Sequence, residues 1–114
     1  MTSANDPSRA ARLVSQLLLQ DGDLRDIVVE FVDGLTVRMG ELRTAHEKLD
    51  WDQLTTLAHR LKGAAGSYGY PEISHLCAEM EQKFRQHEAD QFTQWVTELN
   101  ALVSAAKEGL AEGP

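Results

Sequence analysis

Apolar residues recur at intervals of three and four along most of this chain, and nowhere do they alternate by two over a sustained stretch. Three-or-four spacing lines one stripe of an α-helix, whereas a half-buried strand needs alternation, so the pattern points to helices throughout. The breaks between striped segments are short, and short connections make consecutive helices antiparallel neighbours. The expected fold class is all-α: an antiparallel up-down four-helix bundle with a short extra helix at the N-terminus. A chain of 114 residues suits one such domain and is too short for two.

Punctuation residues set the expected boundaries. Residues 1–6 read as a loose tail, and Pro7 opens the short N-terminal helix, which Asp21-Gly22-Asp23 ends. A second helix is expected from Leu24 to Leu49, with Ile27, Val28, Phe31, Leu35, Met39, Leu42 and Leu49 on its stripe. Asp50 is placed to cap a third, with Gln53 at the reciprocal capping-box position, and the stripe Leu54, Leu57, Ala58, Leu61 and Ala65 runs until Gly66-Ser67-Tyr68-Gly69. Pro71 opens a fourth helix carrying Ile73, Leu76, Cys77, Met80 and Phe84. After a polar turn at 86–90, Phe92, Trp95, Val96, Leu99, Leu102 and Val103 line the last. The domain proper is expected over 7–107, with 108–114 as a C-terminal tail.

Charge narrows the partners. Eighteen acidic against 11 basic residues give a net charge of -7, which disfavours a nucleic acid or an anionic membrane, both of which bind chiefly through cations. No apolar run is long enough to span a bilayer and no secretory leader is recognisable, so a cytoplasmic protein is expected, and Met1 with short tails suits a free-standing one. The lone cysteine, Cys77, lies on an apolar stripe and reads as a buried thiol. A monomer is expected.

The chemistry concentrates in AHRLKGAAGSYGYPE, residues 58–72. At about 100° per residue, Thr55, His59, Lys62, Gly63 and Gly66 fall opposite the apolar stripe of the third helix, so the histidine faces solvent in mid-helix. Lys62 and Gly63 are its neighbours one turn on. An interior glycine costs a helix about 1 kcal/mol relative to alanine, and close approach of another molecule to the backbone is one reason to keep it.

Most uses of an exposed imidazole fail here. Hydrolysis needs a serine or cysteine nucleophile beside it, and none is placed on this face. Zinc needs three or four ligands, yet His46, His75, Cys77 and His87 show no HExxH or CxxC spacing, so no metal is expected. A di-iron bundle needs repeated Glu-x-x-His sets, and only Glu72 and His75 fit, once. The glycines match no nucleotide-binding pattern. A histidine that accepts a phosphoryl group, beside a lysine that offsets its charge, remains.

The stretch AHRLKGAAGSYGYPEISHLCAEME resembles the signature of histidine-containing phosphotransfer (HPt) domains, with the pattern falling on His59, Leu61, Lys62, Gly63, Ala64, Ala65, Gly69, Leu76, Cys77, Met80 and Glu81. The resemblance implies that His59 takes a phosphoryl group from a receiver-domain aspartate or a kinase and passes it to another receiver, with no kinase activity of its own. It implies that Lys62 contacts the phosphoryl oxygens, and that Glu81, on the following helix, hydrogen-bonds the other ring nitrogen and orients the imidazole. No cofactor is implied for the chain itself, Mg²⁺ being supplied by the receiver. The implied partners are response-regulator receivers or a hybrid histidine kinase.

Thr55, Arg60, Gly63 and Gly66 are the expected partner-facing positions. The resemblance implies that Gly63 clears space for a receiver loop; Arg60 is expected either to meet acidic receiver residues or to be solvated, and Gly66 with Gly69 also to end the helix. His46, His75 and His87 read as surface residues rather than second acceptors. The alternative is a helical module that keeps the fold and docks or sequesters receivers without carrying phosphate.

Overall fold

The computed structural model describes residues 12–111. Within them α1 spans Gln16–Gln20, a 3₁₀ turn spans Gly22–Leu24, and α2 (Arg25–Asp33), α3 (Leu35–Glu47), α4 (Trp51–Ser67), α5 (Pro71–Arg85) and α6 (Phe92–Ala111) follow. There is no strand among the described residues, and the fold is the all-α helical bundle expected, with a short N-terminal helix. No helix among them is long and apolar enough to cross a membrane.

The long second helix is present as α2 and α3, interrupted at Gly34. That residue stays in the right-handed region, φ -79° and ψ -9°, and its amide is shared between the carbonyls of Glu30 and Phe31, each 3.1 Å away. Such a bifurcated bond tightens one turn of an otherwise continuing helix. The expected stripe is largely kept across the break: Val28, Phe31, Leu35, Met39 and Leu42 are buried, joined by Val32 and Ala45. Two expected core positions are not, Ile27 at 43% exposed and Leu49 at 57%. Leu49 has left the helix, with φ 50°, and turns the chain toward α4.

Asp50 caps α4 as expected, its Oδ1 accepting from the Gln53 N–H at 3.1 Å. The reciprocal half of the box is not made, because the Asp50 N–H is already donated to the Ala45 carbonyl at 3.0 Å. At the other end Gly69, with φ 90°, makes the turn, and Pro71 starts α5 in its first turn. Three residues between two long helices leave only an antiparallel hairpin, and α4 and α5 pack along their lengths.

Their facing stripes, Leu54, Ala58, Leu61 and Ala65 against Ile73, Leu76, Cys77, Met80 and Phe84, form the centre of the core, which α6 closes with Phe92, Trp95, Leu99, Val103 and Ala106. Each large apolar side chain buried there contributes about 1.5–3 kcal/mol. Cys77 is among them, and burial pushes its thiol up to about 12, as befits an unreactive packing residue.

The chain ends depart from expectation. Pro7, residues 1–6 and 112–114 lie outside the described residues. Residues 12–15 are not helical, because the Leu13 N–H is donated to the Ala105 carbonyl at 2.8 Å and Ser15 serves as the cap of α1, accepting from the Leu18 N–H at 3.2 Å. At the other end residues 108–111, assigned above to a tail, belong to α6: Leu110 is buried, its carbonyl accepts from Arg25 Nη2, and Gly109 lies against the Leu13 carbonyl with no room for a side chain.

Candidate functional site

The α4–α5 hairpin determines which side chains meet across it. Ser74 Oγ, on α5, donates to the Lys62 carbonyl at 2.9 Å, and Gly66 brings the α4 backbone close to the same hydroxyl. Tyr68 and Tyr70 pack at the turn, stacked on Phe31 with ring centroids 4.8 and 6.2 Å away. In this register α5 delivers Glu81 beside His59.

His59 Nδ1 lies 3.0 Å from Glu81 Oε2, Lys62 Nζ lies 2.8 Å from Oε1, and Arg85 Nη2 lies 2.6 Å from Oε2. The three residues singled out for chemistry are thus brought together, with a fourth that sequence reasoning missed. The signal was present: Arg85 stands four residues after Glu81, the spacing at which helix side chains pair. Exposure is graded across the cluster, with Glu81 at 6%, Lys62 at 35%, and His59 and Arg85 at 62% of their side-chain surface.

Burial alone would push the Glu81 carboxyl up. Hydrogen bonds from Lys62, Arg85 and His59, with the charge of Lys62, more than offset it and hold the group at about 2, against an ordinary 4.5. Glu81 is therefore a carboxylate at neutral pH, and a carboxylate can only accept. Nδ1 must carry the ring proton, which leaves the Nε2 lone pair available on a largely exposed ring. Nε2 has no hydrogen-bond partner among the described residues.

The family model for the Hpt domain matches residues 26–109, a span that runs from α2 into α6 and includes all four residues of the cluster. The chain belongs to the Hpt domain family. No curated protein and no solved structure gives a significant match.

Around the cluster, this Hpt domain leaves the expected partner-facing positions open to differing degrees. Arg60, Gly63 and Gly66 are exposed and Thr55 is half-buried. Gly63 has nothing within 4 Å of where a Cβ would stand, so internal packing does not require a glycine there. Arg60 is set apart from Lys62 and Glu81: it lines a cleft of about 530 Å³ between α3 and α4, with Val37, Arg38, Glu41 and Leu57. Val37 is 67% exposed at that cleft.

The other histidines have different company. His46 is half-buried and stacks flat on Phe92 with centroids 3.8 Å apart, His87 stacks on Trp51 at 5.2 Å, and His75 is exposed. Among the described residues none of the three has a carboxylate on its ring as His59 does.

Proposed function

We propose that this Hpt domain is a histidine phosphocarrier of a phosphorelay, taking a phosphoryl group on His59 from a receiver-domain aspartate or a kinase and giving it to another receiver. The observation that carries the reading is the bond from His59 Nδ1 to the buried Glu81 carboxylate, which leaves Nε2 as the nucleophile.

In the transfer, the Nε2 lone pair attacks phosphorus and an N–P bond forms as the P–O bond to the donor aspartate breaks; the aspartate leaves as a carboxylate. The ring becomes an imidazolium, and its Nδ1 proton stays on the bond to Glu81, whose charge stabilises it. Lys62 neutralises charge on the phosphoryl oxygens. Mg²⁺ comes from the receiver, in keeping with a carrier that has no kinase activity of its own.

Docking is assigned to the exposed face of α4 around Thr55, Gly63 and Gly66 and to the adjoining α3–α4 cleft at Arg60. An exposed valine beside charged groups of both signs suits a protein surface better than a small ligand. The reading has the protein act in the cytoplasm as a monomer.

The test mixes phosphorylated receivers with wild-type protein and with His59→Gln, and follows acid-labile, base-stable phosphate. Uptake by the wild type alone is expected. Equal uptake by both defeats the assignment of His59, and receiver binding without uptake by the wild type favours the docking module instead.

A further inference from the structure

Glu81 carries more positive charge than it needs. Its Oε1 accepts from Lys62 at 2.8 Å, and its Oε2 accepts from both His59 and Arg85, at 3.0 and 2.6 Å. An exposed Glu–Arg pair four residues apart on a helix contributes little to stability and calls for no further role. Here the carboxylate is buried, and a buried carboxylate that loses its counter-charge is strongly penalised.

Lys62 has been assigned to the phosphoryl group, yet in this structure its ammonium is on Glu81. To reach an oxygen of a group on Nε2 it must leave a carboxylate that is 6% exposed. A second cation already in place makes that departure inexpensive. The formal charges agree: two cations and one carboxylate around a neutral ring leave one positive charge. Arrival of a PO₃⁻ unit on the ring brings the cluster to neutrality. Without Arg85 the phosphorylated cluster would carry a net negative charge beside a buried anion.

We infer that Arg85 is a positioning residue of the phosphoryl site: it holds the Glu81 carboxylate on His59 and serves as the standing counter-ion that frees Lys62 for the phosphoryl group. The inference rests on the phosphocarrier reading and adds to it the residue that lets one carboxylate serve the ring while its lysine moves. The charged groups facing His59 from α4 and α5 are Lys62, Glu81 and Arg85. Arg85 acts through Glu81 and does not itself touch the reacting atoms.

The experiment uses a phosphorylated receiver that labels the wild type as donor, and compares Arg85→Gln, Arg85→Lys, Lys62→Gln and the Arg85→Gln/Lys62→Gln double variant. Thermal melts come first; because Arg85 is 62% exposed, its variants are expected to fold like the wild type. Arg85→Gln is expected to lower the maximal rate of phosphohistidine formation about fivefold, the scale of a partly exposed ion pair, with the half-saturating receiver concentration unchanged. Arg85→Lys is expected to recover most of that loss. The double variant is expected to fall below the product of the single effects, because each cation covers for the other.

A rate for Arg85→Gln equal to the wild type, or equal losses in Arg85→Gln and Arg85→Lys, would overturn the inference while leaving the phosphocarrier reading standing. A wild type that takes no phosphate from any receiver would overturn both.

Discussion

His59 and Glu81 stand twenty-two residues apart in the chain and 3.0 Å apart in space, on the two helices of one hairpin. The histidine is exposed and the glutamate buried, so the imidazole is mobile only to the extent that its anchor allows. Replacing Glu81 by Gln keeps the shape but offers an amide that can donate to Nδ1 and so stabilise the wrong tautomer. The expected result is transfer slowed by about tenfold or more, with His59 still the labelled residue. Phosphotransfer kinetics, with ring ¹⁵N shifts to report the tautomer, check it; an unchanged rate would contradict the role given to Glu81.

The same carboxylate predicts an acid-side dependence of stability. Its value of about 2 in the folded protein lies below the ordinary 4.5, so the folded state binds this proton less readily than the unfolded one. The contribution is present in full above the unfolded value and fades as pH falls from there toward 2. Wild type and Glu81→Gln compared by urea denaturation should therefore differ most near neutrality and converge only as pH nears 2. A stability gap that widens on acidification would reverse the sign.

Gly63 separates folding from function. With open space for at least 4 Å around the place a Cβ would take, Gly63→Ala is expected to stabilise the helix by up to about 1 kcal/mol. If a partner approaches that backbone, the same change slows transfer from receivers. A higher melting temperature with slower transfer is the expected pair of results, and unimpaired transfer would remove Gly63 from the docking face.

Gly69 is the opposite case. Its φ is 90°, and a Cβ there would stand 2.7 Å from both the Gln16 nitrogen and Ser15 Oγ. Gly69→Ala is expected to cost about 1–3 kcal/mol, from left-handed strain together with displacement of the capped start of α1. Chemical denaturation measures it, and a loss below about 0.5 kcal/mol would show that the turn relaxes freely.

Much of this is legible in the residues. The stripes of α4 and α5 can be read directly because facing helices with regular three-or-four spacing leave little choice of which side is buried, and the Asp50 cap and Pro71 start are local chemistry. Ile27 and Leu49 are misplaced by periodicity: Ile27 stands at the edge of the stripe that Val28, Phe31 and Val32 form on α2, and Leu49 is a left-handed residue past the end of α3. The close of α6 falls later than local signals suggest because Gly109 and Leu110 are ordered by contacts with Leu13 and Arg25, nearly the whole chain away. Arg85 escapes notice for a related reason: the i,i+4 spacing is common on surfaces, and only the burial of Glu81 makes this instance matter.

His59 sits at the midpoint of α4, eight residues from either end. Proteins that retain phosphate usually seat it on the free amides of a helix N-terminus or glycine-rich loop, where the helix dipole adds to the attraction. At mid-helix every amide is already committed to the carbonyl a turn behind, and the dipole has no net pull. A phosphoryl group on His59 would be held by one bond and by side chains alone, poorly stored and therefore readily handed on.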